Sequence, residues 1–221
     1  MIDPILITGC ARSGTSLTAG VFSNCGAFGG FTFGTNEHNK KGMFENKTIR
    51  ETILKPYLIL NGCDPKGQRP LPDIRNLLQV GNLRERIEAI MKASGYKEGV
   101  WYYKGAKMCL CWPTFCDAFP KAKWVIVRRK DEDIVNSCMR TGFMNAYKDE
   151  TGWQIWVDHH KARFIEMMDA DLDICQVWPN KMISGNFDEI RRAVEHCGLE
   201  WNEDAVKEFV APALWRNKNG E

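Results

Sequence analysis

Eight residues near the N-terminus, Gly9-Cys10-Ala11-Arg12-Ser13-Gly14-Thr15-Ser16, carry the spacing of a phosphate-binding loop, G-x-x-x-x-G-K-[ST], except that Thr15 stands where the lysine belongs. Glycines at that spacing let backbone N–H groups curl around an anion, and the hydroxyls of Thr15 and Ser16 add donors. In nucleotide triphosphatases the lysine reaches the β- and γ-phosphates, and the next hydroxyl holds Mg²⁺. Here the nearest cation is Arg12, inside the loop. Such a loop suits a less charged cargo than Mg·ATP. The plain alternative is a strand-to-helix turn with no chemical role.

A second stretch, KWVIVRRKDEDIVNSCMR over 123–140, reads as a buried strand, a cationic turn and a helix. Arg129 and Ser137 are separated by the turn and two helical turns, so both can face one phosphate while Asp133 orders the helix start. A solvated basic turn is the alternative. Lys104 ends another apolar run, where a surface lysine is equally ordinary.

These residues need a scaffold. Short β-branched runs at 5–8, 100–103, 124–127 and 174–177 alternate with helical patterns at 13–24, 45–60, 83–94, 131–141, 152–168, 187–197 and 203–210. That alternation predicts an α/β fold of three layers, α/β/α, around a central parallel sheet. Open sheets of this kind bind ligands at the carboxyl ends of their strands, where both motifs lie. The stretch 25–42 holds five glycines and no period, which marks it as a candidate substrate-facing loop.

The two motifs together resemble those of the PAPS-dependent sulfotransferases, which move a sulfuryl group from 3′-phosphoadenosine 5′-phosphosulfate to a hydroxyl or amine. RSGTS, from Arg12 to Ser16, matches the [KR]-S-G-T-[ST] signature, and Arg129, Asp133 and Ser137 match R-x3-D-x3-S. NKKGMFEN at 39–46 is similar to a bacterial N-P-x-G-[YF]-x-E-[NH] segment, with Lys40 in place of proline. In YYKGAK at 102–107, Lys104 matches a strand-end lysine, but Gly105 and Ala106 depart from the bacterial K-D-P-R. Ala106 also occupies the place of the histidine base of animal members, and their R-K-G segment is absent. The segment 187–209 resembles the closing helices of bacterial members.

The resemblance implies a P-loop nucleotide-binding fold that takes PAPS, with PAP as the product. Arg12, Ser13, Gly14, Thr15 and Ser16 would hold the 5′-phosphosulfate, and Arg129 and Ser137 the 3′-phosphate. Arg12 and Lys104 would stabilise charge during transfer. The base would be Glu45, which matches the bacterial glutamate, or His38, which titrates near neutral pH, with Glu37 close by. A sulfuryl group carries less charge than a phosphoryl group, so no metal is required. The acceptor would be a small molecule, lipid or carbohydrate. A small-molecule kinase with an altered loop and a nucleotide-binding module without catalysis are the rival readings.

Composition narrows the setting. At 221 residues and 44% hydrophobic, the chain fits one domain over 1–221. A net charge of +2 argues against a nucleic-acid surface. Nine cysteines and an N-terminus without a signal-peptide pattern suggest a reduced, cytoplasmic setting. Cys109, Cys111 and Cys116 lack a zinc spacing, and no apolar run reaches the ~20 residues that span a bilayer. Trp153, Trp156, His159, His160 and Phe164 read as a core stripe rather than an acceptor pocket, and Trp215 and Arg216 as part of a docked tail.

Overall fold

The computed structural model describes residues 1–36, 39–211 and 213. Four strands, β1 (Ile5–Gly9), β2 (Tyr102–Lys104), β3 (Lys123–Val127) and β4 (Ile174–Val177), form a parallel sheet in the order β2-β1-β3-β4. The register sets Ile7 beside Lys104 and Gly9 beside Val127. The chain therefore leaves β1, β2 and β3 at the same end of the sheet.

Side chains alternate between faces along a strand, and here both faces are apolar. Leu6, Tyr103, Trp124 and Ile126 enter one core, while Ile5, Ile7, Tyr102, Val125 and Val127 enter the other. The first core is closed by residues of α4 (Leu83–Ala93), α5 (Trp112–Ala118), α6 (Asp131–Met139) and α7 (Glu150–Asp169). The second is closed by α1 (Thr15–Asn24), α8 (Pro179–Ile183), α9 (Asp188–His196) and α10 (Glu203–Phe209). The result is the three-layer α/β/α arrangement that the alternation predicts. Burying each large apolar side chain contributes roughly 1.5–3 kcal/mol. Trp153, Trp156 and Phe164 lie in the first core, with buried His160 tilted against Trp156, as the stripe reading requires, but His159, placed in the same stripe, is exposed.

The helix expected over 45–60 departs from regularity. Asn46 caps it, its side-chain oxygen accepting from the Ile49 N–H at 3.0 Å. Then α2 (Lys47–Ile49) widens into a π-helical stretch (Arg50–Leu54) before α3 (Lys55–Leu60) resumes. Pro56 explains the widening: it has no N–H to donate, and its ring crowds the carbonyl of Thr52. That carbonyl is satisfied instead by Arg86 Nη2, at 3.2 Å. The short helices α5 and α8 were not expected, because so few residues show no period, and each opens on a proline at its first turn.

Two polar contacts fasten the end of β1 to the turn after the edge strand β2. Thr8 Oγ1 donates to the Gly105 carbonyl at 3.0 Å and accepts from the Cys109 N–H at 3.1 Å. Thus the end of β1 holds the turn after β2, which carries Lys104 and Lys107. Among the described residues, no helix is long and apolar enough to cross a membrane.

Candidate active site

The loop after β1 makes two left-handed turns. Arg12 has φ 74° and Gly14 φ 100°. For Gly14 this is free of strain, whereas for Arg12 it costs about 1–2 kcal/mol. Gly9 is required for a different reason: a Cβ there would lie 2.6 Å from the Val127 carbonyl of β3. No side chain caps α1, so the N–H groups of its first turn are open to an anion.

A cleft of about 650 Å³ opens here, at the carboxyl ends of β1, β2 and β3. Arg12, Gly14, Thr15 and Ser16 line it from the first loop, Lys104 from β2, and Arg129 and Ser137 from the second motif. Two contacts join the motifs: Arg12 Nε donates to Ser137 Oγ at 3.0 Å, and Arg129 Nη1 donates to the Arg12 carbonyl at 2.6 Å. Arg12 thus faces the second motif rather than Lys104. Ser13 differs from the other loop residues, because its side chain is buried beneath the loop and does not line the cleft.

Arg129 sits largely buried, with Asp133 Oδ2 3.9 Å from its Nε. Burial pushes its guanidinium down to about 10, opposed by Asp133 and reinforced by repulsion from Arg12 and Arg140. Converging arginines of this kind favour a bound anion. The rest of the cationic run disperses: Arg128 lies over the rings of Phe164 and Trp178, and Lys123 bonds to the His196 carbonyl.

The other end of the cleft is built around Glu45. Its Oε2 lies 3.5 Å from Lys104 Nζ and 4.0 Å from Arg50 Nη1. Lys104 Nζ also donates to Ser16 Oγ at 3.4 Å, which links this pair to the phosphate-binding loop. Burial lowers the proton affinity of Lys104, and Glu45 counters the effect. Glu45 Oε1 is buried and has no hydrogen-bond partner among the described residues. The sequence places Glu45 at a helix start; the structure puts it just ahead of Asn46, 3% exposed, so it is not an ordinary surface carboxylate near a helix end. His38 and Glu37 lie outside the described residues, as do Trp215 and Arg216.

The glycine-rich stretch does face the cleft, through Phe33, Asn36 and residues 39–43. Lys41 fastens it to α10, donating to the Glu208 carbonyl at 3.2 Å and lying 5.6 Å above the Phe209 ring. Sequence reasoning missed further basic residues of the lining: Arg50, Lys55, Lys66 and Lys107. Among the described lining residues, nine are basic and Glu45 alone is acidic, a local excess hidden by the net charge of +2. A spacing of five puts Arg50 and Lys55 about 140° apart on a regular helix. The π-helical stretch between them brings both to the cleft.

No family model matches the sequence, and no curated protein is significantly similar to it. Among solved structures, the chain is similar to the sulfotransferase domain of the olefin synthase of Synechococcus PCC 7002, at 14% identity and a TM-score of 0.57. That match covers 99% of this chain and 90% of the other. It is also similar to sulfotransferase STF9 from Mycobacterium avium, at 13% identity and a TM-score of 0.57, over 94% of this chain and 67% of that one. At these identities the likeness establishes a shared fold.

Proposed function

We propose that this chain is a sulfotransferase that moves a sulfuryl group from PAPS to a hydroxyl or amine of its acceptor. One observation carries the reading: a loop suited to one anion and a second basic pair suited to another converge on one cleft, joined through Arg12, Arg129 and Ser137. A nucleotide with phosphates at both its 3′ and 5′ positions matches two anion sites; AMP matches one. The open first turn of α1, with Thr15, Ser16 and the backbone of Gly14, would hold the 5′-phosphosulfate. Arg129 and Ser137 would hold the 3′-phosphate. The buried side chain of Ser13 is not part of this lining.

In the reaction a bond forms between sulfur and the acceptor oxygen or nitrogen, the bond from sulfur to the bridging oxygen breaks, PAP leaves, and the acceptor's proton passes to the base. Lys104, buried and beside Ser16, is positioned to stabilise charge on the leaving oxygen, where one such donor contributes about 3–4 kcal/mol. Glu45 is the base this reading favours, because its buried Oε1 has no hydrogen-bond partner among the described residues while Oε2 faces Lys104 and Arg50. His160 and seven of the nine thiols are buried in the core, and none of the cysteines lines the cleft. The fold shared with bacterial sulfotransferases supports the assignment.

Calorimetry with PAP, AMP and ATP tests it. PAP binds tightest, and Arg129→Ala removes most of its advantage over AMP, since a charge-assisted contact is worth ~1.5–3 kcal/mol, or roughly tenfold to a hundredfold. Equal affinities for PAP and AMP would overturn the reading.

A further inference from the structure

Granting the sulfotransferase reading, on which this inference rests, the donor's needs are met by the first loop, Lys104, Arg12, Arg129 and Ser137. Four cations line the Glu45 end of the cleft: Arg50, Lys55, Lys104 and Lys107. Two carboxylates answer them. Glu45 faces Lys104 and Arg50, and Glu51 contacts Arg50 Nε at 3.2 Å and Lys55 Nζ at 2.7 Å. Two positive charges remain. A chain of polar contacts therefore runs outward from the phosphate-binding loop, through Ser16, Lys104, Glu45, Arg50, Glu51 and Lys55, and ends with a surplus of cations.

Lys107 holds that surplus most plainly. No carboxylate lies within ion-pair distance of it among the described residues, although the side chain is half-buried. Burial lowers its proton affinity, Glu45 offsets part of this, and Arg50, Lys104 and Lys55 lower it further. The aliphatic stem of Lys107 is also held in place. Gly67 has φ 71°, and a Cβ there would lie 2.7 Å from Lys107 Cγ, so the lysine stem packs directly on that backbone. The Gly67 carbonyl in turn accepts from buried Trp156 Nε1 at 2.9 Å, and neighbouring Gln68 is bonded to Phe143, Asn145 and Ala146. A cation that is partly desolvated and has no ion-pair partner among the described residues is stabilised by an incoming anion. Arg50, stacked 4.6 Å from the Phe33 ring, presents a second donor on the same wall.

We infer that the acceptor is itself an anion, a hydroxyl- or amine-bearing compound whose phosphate, sulfate or carboxylate seats against Lys107 beside Arg50 and Lys55. Lys107 and Arg50 then select the acceptor, while Glu45 and Lys104 stand between that anion and the sulfuryl group.

The test uses PAP-saturated protein, so that the nucleotide's own phosphates fill their sites. Inorganic phosphate, inorganic sulfate and acetate are titrated separately by calorimetry. At least one binds saturably, and the strongest identifies the class of anion the acceptor carries. Lys107→Gln weakens that binding about tenfold or more, the loss of one charge-assisted contact. Thermal melting reports whether the variant is folded; should it fail to fold, Lys55→Gln, closer to solvent, carries the same comparison. If PAP binds but no probe does, or if the folded variants bind the probe like the native chain, the acceptor is not recognised as an anion here. If PAP itself does not bind, the donor assignment falls and takes this inference with it.

Discussion

Replacing Glu45 by glutamine keeps the shape of the side chain and removes the carboxylate that faces Lys104 at 3.5 Å and Arg50 at 4.0 Å. At an effective dielectric of ~20, a unit pair about 4 Å apart interacts by about 4 kcal/mol. Breaking a buried pair by deleting one partner typically costs about 3–5 kcal/mol. Arg50 keeps Glu51, and Lys104 can shed its proton, so the loss falls near the low end, at about 3 kcal/mol. For a chain of this size that lowers Tm by roughly 6–12 °C. The loss also carries a pH signature. Burial already holds Lys104 below its ordinary value of 10.5 in the folded chain, and without Glu45 it falls further. Between that lowered value and 10.5 the folded variant binds fewer protons than the unfolded chain, so its stability rises with pH. Melting curves of native and Glu45→Gln protein should therefore converge as pH is raised from neutrality towards 10. With an accepted substrate in hand, kcat of the variant falls ~10²–10⁴-fold, as for a lost general base. A deficit under about 1 kcal/mol, or one that widens with rising pH, would refute the pairing on which both the base and the Lys104 assignments stand.

Two other perturbations probe the scaffold. His160 is buried with Nδ1 2.8 Å from the Trp156 carbonyl, and burial pushes its pKa from 6.5 down to about 4. Its neutral form is favoured on folding, so stability is full above pH 6.5 and drops by about 3 kcal/mol as pH falls to 4, a loss that His160→Phe should abolish in acid denaturation curves. Gly9→Ala drives a methyl to 2.6 Å from the Val127 carbonyl, which spreads β1 from β3; it should cost about 1–3 kcal/mol in urea melts and weaken PAP binding together with stability.

The sequence exposes both phosphate motifs because each is local: a handful of residues at a strand end determines the turn and the helix that follow. The layering was equally legible, since both faces of the sheet are written as apolar runs. Glu45 could be picked out as a candidate, but not its environment, because its partner Lys104 arrives from another strand. Arg50 and Lys55 were invisible for a sharper reason. Regular helical spacing places them on different faces, and only the widening forced by Pro56 aligns them. Lys107 reads as a surface lysine until the backbone of Gly67 is packed against it. Lining by residues from segments spread over the chain, from Ala11 to Ala211, cannot be read from any one of them.

The contacts from Arg12 to Ser137 and from Arg129 to Arg12 link positions 125 and 117 residues apart in the chain. Both follow from the pairing of β1 with β3, so the entropy of bringing these segments together is lost when the sheet folds. On the proposed reading, a 3′-phosphate would meet a pair that the fold has already joined and would exchange the hydrogen bond from Arg12 to Ser137 for contacts of its own. Little binding energy would then be consumed in organising these two arginines and Ser137. Backbone amides around Arg12 and Ser137 should accordingly be about as protected from hydrogen exchange in the free protein as in the nucleotide complex.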